Sequence, residues 1–140
     1  MRVCGVDFKS NEANICLVDL SQGLFDVPDC RARKFTITDG ASTEQIRQFQ
    51  RQFVKLMDDY KVDKIVIRER PMKGKFAGSA VGFKMEAALQ LIESLECEVF
   101  TAAAMKESLK RNPVMVSMKE VGLKQFQEPA FQVACAYLNK

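Results

Sequence analysis

Histidine is absent from these 140 residues, and no Cys-x-x-Cys pair occurs. Those gaps remove histidine general bases, Ser-His-Asp triads and Cys/His zinc sites together. A metal bound here must be a hard cation held by carboxylate oxygens. No apolar run reaches the length of a membrane span, and the N-terminus lacks the apolar core of a signal peptide. The expected compartment is the cytoplasm, with no membrane as partner. The chain also lacks internal repeats, low-complexity tracts and linkers, so a single domain over residues 1–140 is expected. What is present is ordinary for a soluble globular domain: 47% hydrophobic and 28% charged residues. The 5 cysteines, odd in number and set in apolar stretches, fit small core residues in a reducing compartment. The net charge of +3 is a mild basic bias compatible with nucleic acid.

Arg2 to Phe8 and Ala13 to Leu20 are rich in β-formers and flank the polar break KSNE, which predicts a hairpin. Cys30 to Thr38 alternates well enough to be a third strand, and Gly40 ends it. STEQ, Ser42 to Gln45, reads as a capping box. Ile46, Phe49, Phe53, Leu56 and Met57 follow at helical spacing and predict an amphipathic helix over 43–60. Val62 to Glu69 is a strand with β-branched residues at its centre. After a loop come a helix from about Ser79 to Ser94, a strand from Glu98 to Thr101 and a helix from Ala102 to Lys110. SMKE, Ser117 to Glu120, is another capping-box pattern; Ala130 to Leu138, apolar nearly all round, predicts a buried helix behind Pro129. The order implies an α/β fold. Its expected core is a five-stranded mixed sheet, a three-strand antiparallel meander plus two parallel strands, flanked by helices.

In such a sheet Asp7 and Glu69 both stand at the C-terminal ends of adjacent parallel strands, where open α/β sheets tend to bind ligands. Glu128 starts the helix that must lie against the sheet. Three converging carboxylates repel one another, and a divalent cation, Mg²⁺ or Mn²⁺, removes that penalty. Each acid also has a bland reading. Asp7 suits a tight turn, Glu69 a self-paired strand tip, and Glu128 a helix dipole.

The opening GVDFKSNEANICLVDL resembles the first hairpin of the ribonuclease H-like superfamily. VDKIVIRE with the helix GFKMEAALQLI resembles the second acidic strand of its RuvC-type Holliday-junction resolvase branch. EVFTAAAMKESLK and EPAFQVACAYL resemble the segments that follow there. The resemblance implies a ribonuclease H-like fold and a bacterial domain family distinct from the resolvases proper. It implies Asp7, Glu69 and Glu128 as catalytic metal ligands for phosphodiester hydrolysis on structured DNA or RNA, and a homodimer joined through Phe and Met residues of the second long helix. Glu128 stands where Asp is usual in that branch, and Gln125 where a second acid often lies.

The segment RERPMKGKFAGSAVGFK concentrates Arg68, Arg70, Lys73, Lys75 and Lys84 with Phe76, Phe83 and 3 glycines. Cations neutralise phosphates and rings stack on bases, although the same phenylalanines suit a core. Lys106 and Lys119 match phosphate-contacting lysines in the resemblance. Two readings stay open: a Mg²⁺- or Mn²⁺-dependent nuclease, and a nucleic-acid-binding or protein-interaction module that has kept the fold and lost catalysis.

Overall fold

The computed structural model describes residues 1–140. Strands β1 (Arg2–Lys9) and β2 (Glu12–Ser21) pair antiparallel across the two-residue turn Ser10–Asn11, where Ser10 takes φ 54°. Both strands are buried on both faces along most of their length. That explains their unbroken run of apolar residues, which a strand facing water on one side would not carry.

The third strand differs from expectation. β2 turns through Gln22 and Gly23, both at positive φ, into the short strand β3 (Leu24–Asp26). This is a two-residue turn whose twist matches the hairpin. Of Cys30–Thr38, only β4 (Lys34–Thr36) is a strand, and it pairs with the opposite end of β2. Pro28 has no N–H to give a ladder, and the Arg31 N–H goes instead to the Tyr60 hydroxyl at 2.8 Å. The sheet therefore has 6 strands rather than five.

Helix α1 (Thr43–Asp59) begins where the capping box predicts: Ser42 Oγ accepts from Gln45 N. The Gln45 carboxamide does not return to Ser42. It accepts from the N–H groups of Thr38 and Asp39 and so ties the incoming loop to the helix. β5 (Lys64–Arg68), α2 (Ala80–Gln90), β6 (Glu96–Phe100) and α3 (Ala102–Arg111) follow within a few residues of the expected bounds. At SMKE, Ser117 and Glu120 make both reciprocal bonds of a capping box, yet Gly122 at φ 77° turns the chain away and no α-helix grows. A 3₁₀ turn, Gln125–Gln127, leads into α4 (Glu128–Leu138).

The sheet order is β3-β2-β1-β5-β6, with β5 and β6 parallel to β1. Cys4, Val6, Phe8, Ile65 and Ile67 face α1 and α2. Val3, Val66 and Cys16 face α4 and the start of α3. Met85 of α2 is fully buried, and Phe83 stacks on Arg70 inside the chain. Of the Phe and Met residues expected at a dimer contact, Met85 thus packs within the chain, while Phe83 stays partly exposed. All 5 cysteines are free, and burial pushes the Cys97 and Cys135 thiols up to about 12, as suits inert core residues.

Helix α4 lies closer to the sheet than side chains normally allow. A Cβ on Gly5 would stand 2.1 Å from the Ala130 carbonyl oxygen. Only glycine at position 5, under the small faces of Ala130 and Ala134, permits that approach. Gly5→Ala is expected to lift α4 and to lower stability by about 2–3 kcal/mol. Urea denaturation would show this as a lower midpoint at unchanged slope.

Candidate functional site

Strands β1, β5 and β6 run parallel, so their C-terminal ends share one edge of the sheet. Asp7 belongs to the face of β1 that carries Val3 and Gly5, the face beneath α4. It is only 7% exposed. Helix α4 runs antiparallel to β1. Tyr137 reaches Lys64 at the start of β5, and Ala130 covers Gly5. Glu128 at the start of α4 therefore lies at the edge of the sheet that holds Asp7.

Register decides what stands beside Asp7. On β5, Val6 pairs with Ile67, so the next residue pair brings Arg68, not Glu69, next to Asp7. Arg68 Nη1 lies 3.5 Å from Asp7 Oδ1, at the outer limit of a hydrogen bond. Burial pushes the Asp7 carboxyl above its ordinary range, and the nearby charges of Arg68 and Arg70 only partly offset it. On β2 the residue directly opposite is Asn14, 3% exposed and on the same face. Its carboxamide enters none of the side-chain hydrogen bonds of the chain. A carboxylate and a carboxamide held opposite each other, Cβ atoms roughly 5 Å apart, offer oxygen donors of the type hard cations take.

Glu69 has different work. It is exposed, and Oε1 accepts from Ala102 N at 2.8 Å, capping the first turn of α3. Glu128 is half-buried and accepts from Gln125 Nε2 at 3.2 Å. Nowhere do three acidic or cysteine side chains gather closely enough to share a metal ion. The expected cluster of Asp7, Glu69 and Glu128 is thus not assembled, because strand alternation and the α3 cap draw Glu69 away. The residues that fit a hard cation are Asp7 and Asn14, with Glu128 at the same edge of the sheet.

The basic residues also divide. Lys73 and Lys75 are exposed on the loop after β5, with Phe76 exposed beside them. Gly78 N donates to the Pro71 carbonyl at 2.9 Å, closing that loop on itself. Ser79 Oγ donates to the Ser10 carbonyl at 2.6 Å, fixing the loop against the β1–β2 turn, at Asp7's edge of the sheet. Arg70, grouped with these lysines by sequence, is instead 8% exposed. Its guanidinium lies over the rings of Phe8 and Phe83 and reaches Glu86 at 3.5 Å. Added Cβ atoms on Gly78 or Gly82 would come within 2.6 Å of it. Arg70 is therefore held inside the chain against Phe8, Phe83 and Glu86 rather than offered at the surface. Lys84 is committed to the Gly40 carbonyl at 2.9 Å, while Lys106 on α3 and Lys119 in the turn before the 3₁₀ segment are exposed. Asn14 and Glu86 escaped the sequence reading, and Arg68, grouped there with the cations of the loop, stands beside Asp7. Asn14 had a signal: a two-residue turn at Ser10–Asn11 forces it opposite Asp7.

The chain belongs to the family described as protein of unknown function (DUF3010), which matches residues 1–137. No curated protein sequence matches it. Among solved structures it is similar to Thermus thermophilus RuvC, with TM-score 0.73 and 10% identity over 99% of this chain and 93% of that one. A T. thermophilus RuvC complex with a Holliday junction substrate gives TM-score 0.70 and 12% identity over 99% and 93%. The fowlpox virus Holliday junction resolvase gives 0.52 and 10% over 99% and 97%. At such identities the likeness is one of fold, and the fold is ribonuclease H-like.

Because folding raises the Asp7 carboxyl above its ordinary range, the folded chain binds that proton more tightly than the unfolded chain. Its contribution to stability therefore falls as pH rises through that range. Asp7→Asn is expected to be more stable than wild type at neutral pH and to converge with it as the pH falls through the carboxylate range. Urea denaturation across that interval checks the sign.

Proposed function

We propose that this DUF3010 chain is a divalent-metal-dependent nuclease acting on structured DNA or RNA. The observation that carries the reading is Asp7: a nearly buried carboxylate at the end of β1, facing the carboxamide of Asn14, whose burial the nearby Arg68 and Arg70 only partly offset. A structural carboxylate so placed would normally hold a shorter hydrogen bond than the 3.5 Å contact from Arg68. Asp7, Asn14 and Glu128 would hold Mg²⁺ or Mn²⁺. Such an ion supplies an activated water and stabilises the leaving oxygen of a phosphodiester. In a chain without histidine no imidazole takes the proton, and carboxylates such as Asp7 and Glu128 are the groups left for it at this edge. Lys73 and Lys75, on the fixed loop beside the β1–β2 turn, would neutralise backbone phosphates and set the strand against Asp7. Lys106 and Lys119 would extend that contact. The cytoplasm, a bacterial source and a homodimer belong to the same proposal; no helix is long and apolar enough to cross a membrane.

A second reading has its own support. Glu69 caps α3 and Gln125 stands beside Glu128, so a domain that binds nucleic acid without cutting it is the alternative.

A panel of junction, single-stranded and hybrid substrates with Mg²⁺ or Mn²⁺ separates the two. Nuclease activity is expected in the wild type and a loss of at least ~10³-fold in Asp7→Asn, comparable to removing one essential group. Equal cleavage by Asp7→Asn sinks the assignment. The double variant Lys73→Glu, Lys75→Glu is expected to weaken substrate binding and to lower the slope of affinity against salt by about 2. Binding that responds to those lysines, with no cleavage and no need for a divalent ion, selects the second reading.

A further inference from the structure

A cavity of about 500 Å³ opens at the far end of the α4 face from Asp7. Val18, Phe131 and Cys135, all buried, form its floor. One wall is β3, which pairs with β2 on one side and presents a free edge on the other. The opposite wall is the stretch 113–116, Pro-Val-Met-Val, whose backbone makes no hydrogen bond to any other part of the main chain. Leu24, Phe25, Met115 and Val116 stand exposed around it, Met115 at 85%. Unpaired strand edges and apolar side chains in one place are features that soluble proteins otherwise blunt or cover.

We propose that this groove binds an extended, basic-apolar segment of a partner protein, which adds a strand between β3 and the 113–116 wall. The two unpaired backbones call for an extended chain, because a helix satisfies its own backbone groups and would leave both walls unpaired. Charge selects the occupant. Asp26 and Glu120 line the groove, neither enters an ion pair, and no lysine or arginine lines it. Yet the chain as a whole has 21 Lys and Arg against 18 Asp and Glu. Phosphates are repelled there, and a second copy would bring the same two acids to the contact. A peptide strand alternating apolar residues with lysine or arginine meets both the floor and the rim. This inference does not rest on the nuclease reading, since the groove and Asp7 lie at opposite ends of α4.

Panning the wild-type chain against a phage-displayed library of random short peptides tests it. The expected winners alternate apolar residues and carry lysine or arginine. A synthetic winner should shift the amide resonances of residues 24–27 and 114–116. Its affinity should fall at least ~10-fold in Asp26→Lys and in Met115→Glu. Both side chains are exposed, and neither makes a hydrogen bond or ion pair whose loss would unfold the chain. No enrichment, winners without a cation, or binding indifferent to both substitutions overturns the proposal. So does a dimer in sedimentation that Met115→Glu converts to monomer, which would make a second copy the occupant.

Discussion

The contact between the Ala130 carbonyl and Gly5 governs the rest of the molecule. A helix that touches a central strand backbone-to-backbone cannot slide or rotate without losing the fit, so α4 is held in register along β1. At one end that register brings Tyr137 over Lys64, whose ammonium is shared between the Tyr137 hydroxyl and Glu98 at 2.7 Å each. At the other it sets Glu128 at the edge where Asp7 ends its strand. One absent side chain thus places both ends of the helix, and the groove that opens beside its C-terminal turns follows from the same placement.

The charges at the Asp7 edge are unevenly compensated. Glu86 and Arg70 are buried together. Burial raises the Glu86 carboxyl despite the arginine beside it, and Arg70 keeps Nε and Nη1 without partners. The rings of Phe8 and Phe83 supply part of what those donors lack. Glu69 is satisfied by the first N–H of α3. Asp7 has Arg68 only at 3.5 Å and burial still raises its carboxyl, which is why stability and a binding role pull in opposite directions there. The two apolar and basic surfaces of the chain divide along the same axis. The loop bearing Lys73, Lys75 and Phe76 borders the turn beside Asp7, and the acid-rimmed groove lies at the opposite end.

Hydrophobic period and local capping were enough to find α1, α2, α3, α4, β1, β2, β5 and β6, because each carries its own signal within its own span. They were not enough for β3 and β4. Three-residue strands bury too little to leave a pattern, and Arg31 found its partner in Tyr60, 29 residues away. The SMKE box made its local bonds and still failed to start an α-helix, since a cap stabilises a first turn but cannot supply the apolar face that propagates one.

By itself the sequence determined the α/β class, the place of Asp7 at a strand end, the absence of imidazole chemistry, and the run of cations after β5. Those follow from residue type and near-neighbour spacing, which act before the chain is folded. Tertiary structure alone decided that Arg68 rather than Glu69 stands beside Asp7, that Arg70 is buried rather than offered to a ligand, and that an apolar slot opens between β3 and Val114–Val116. Each depends on register between distant strands or on which groups compete for the same partner. Period-two alternation makes a one-residue difference in register move a side chain to the other face of the sheet.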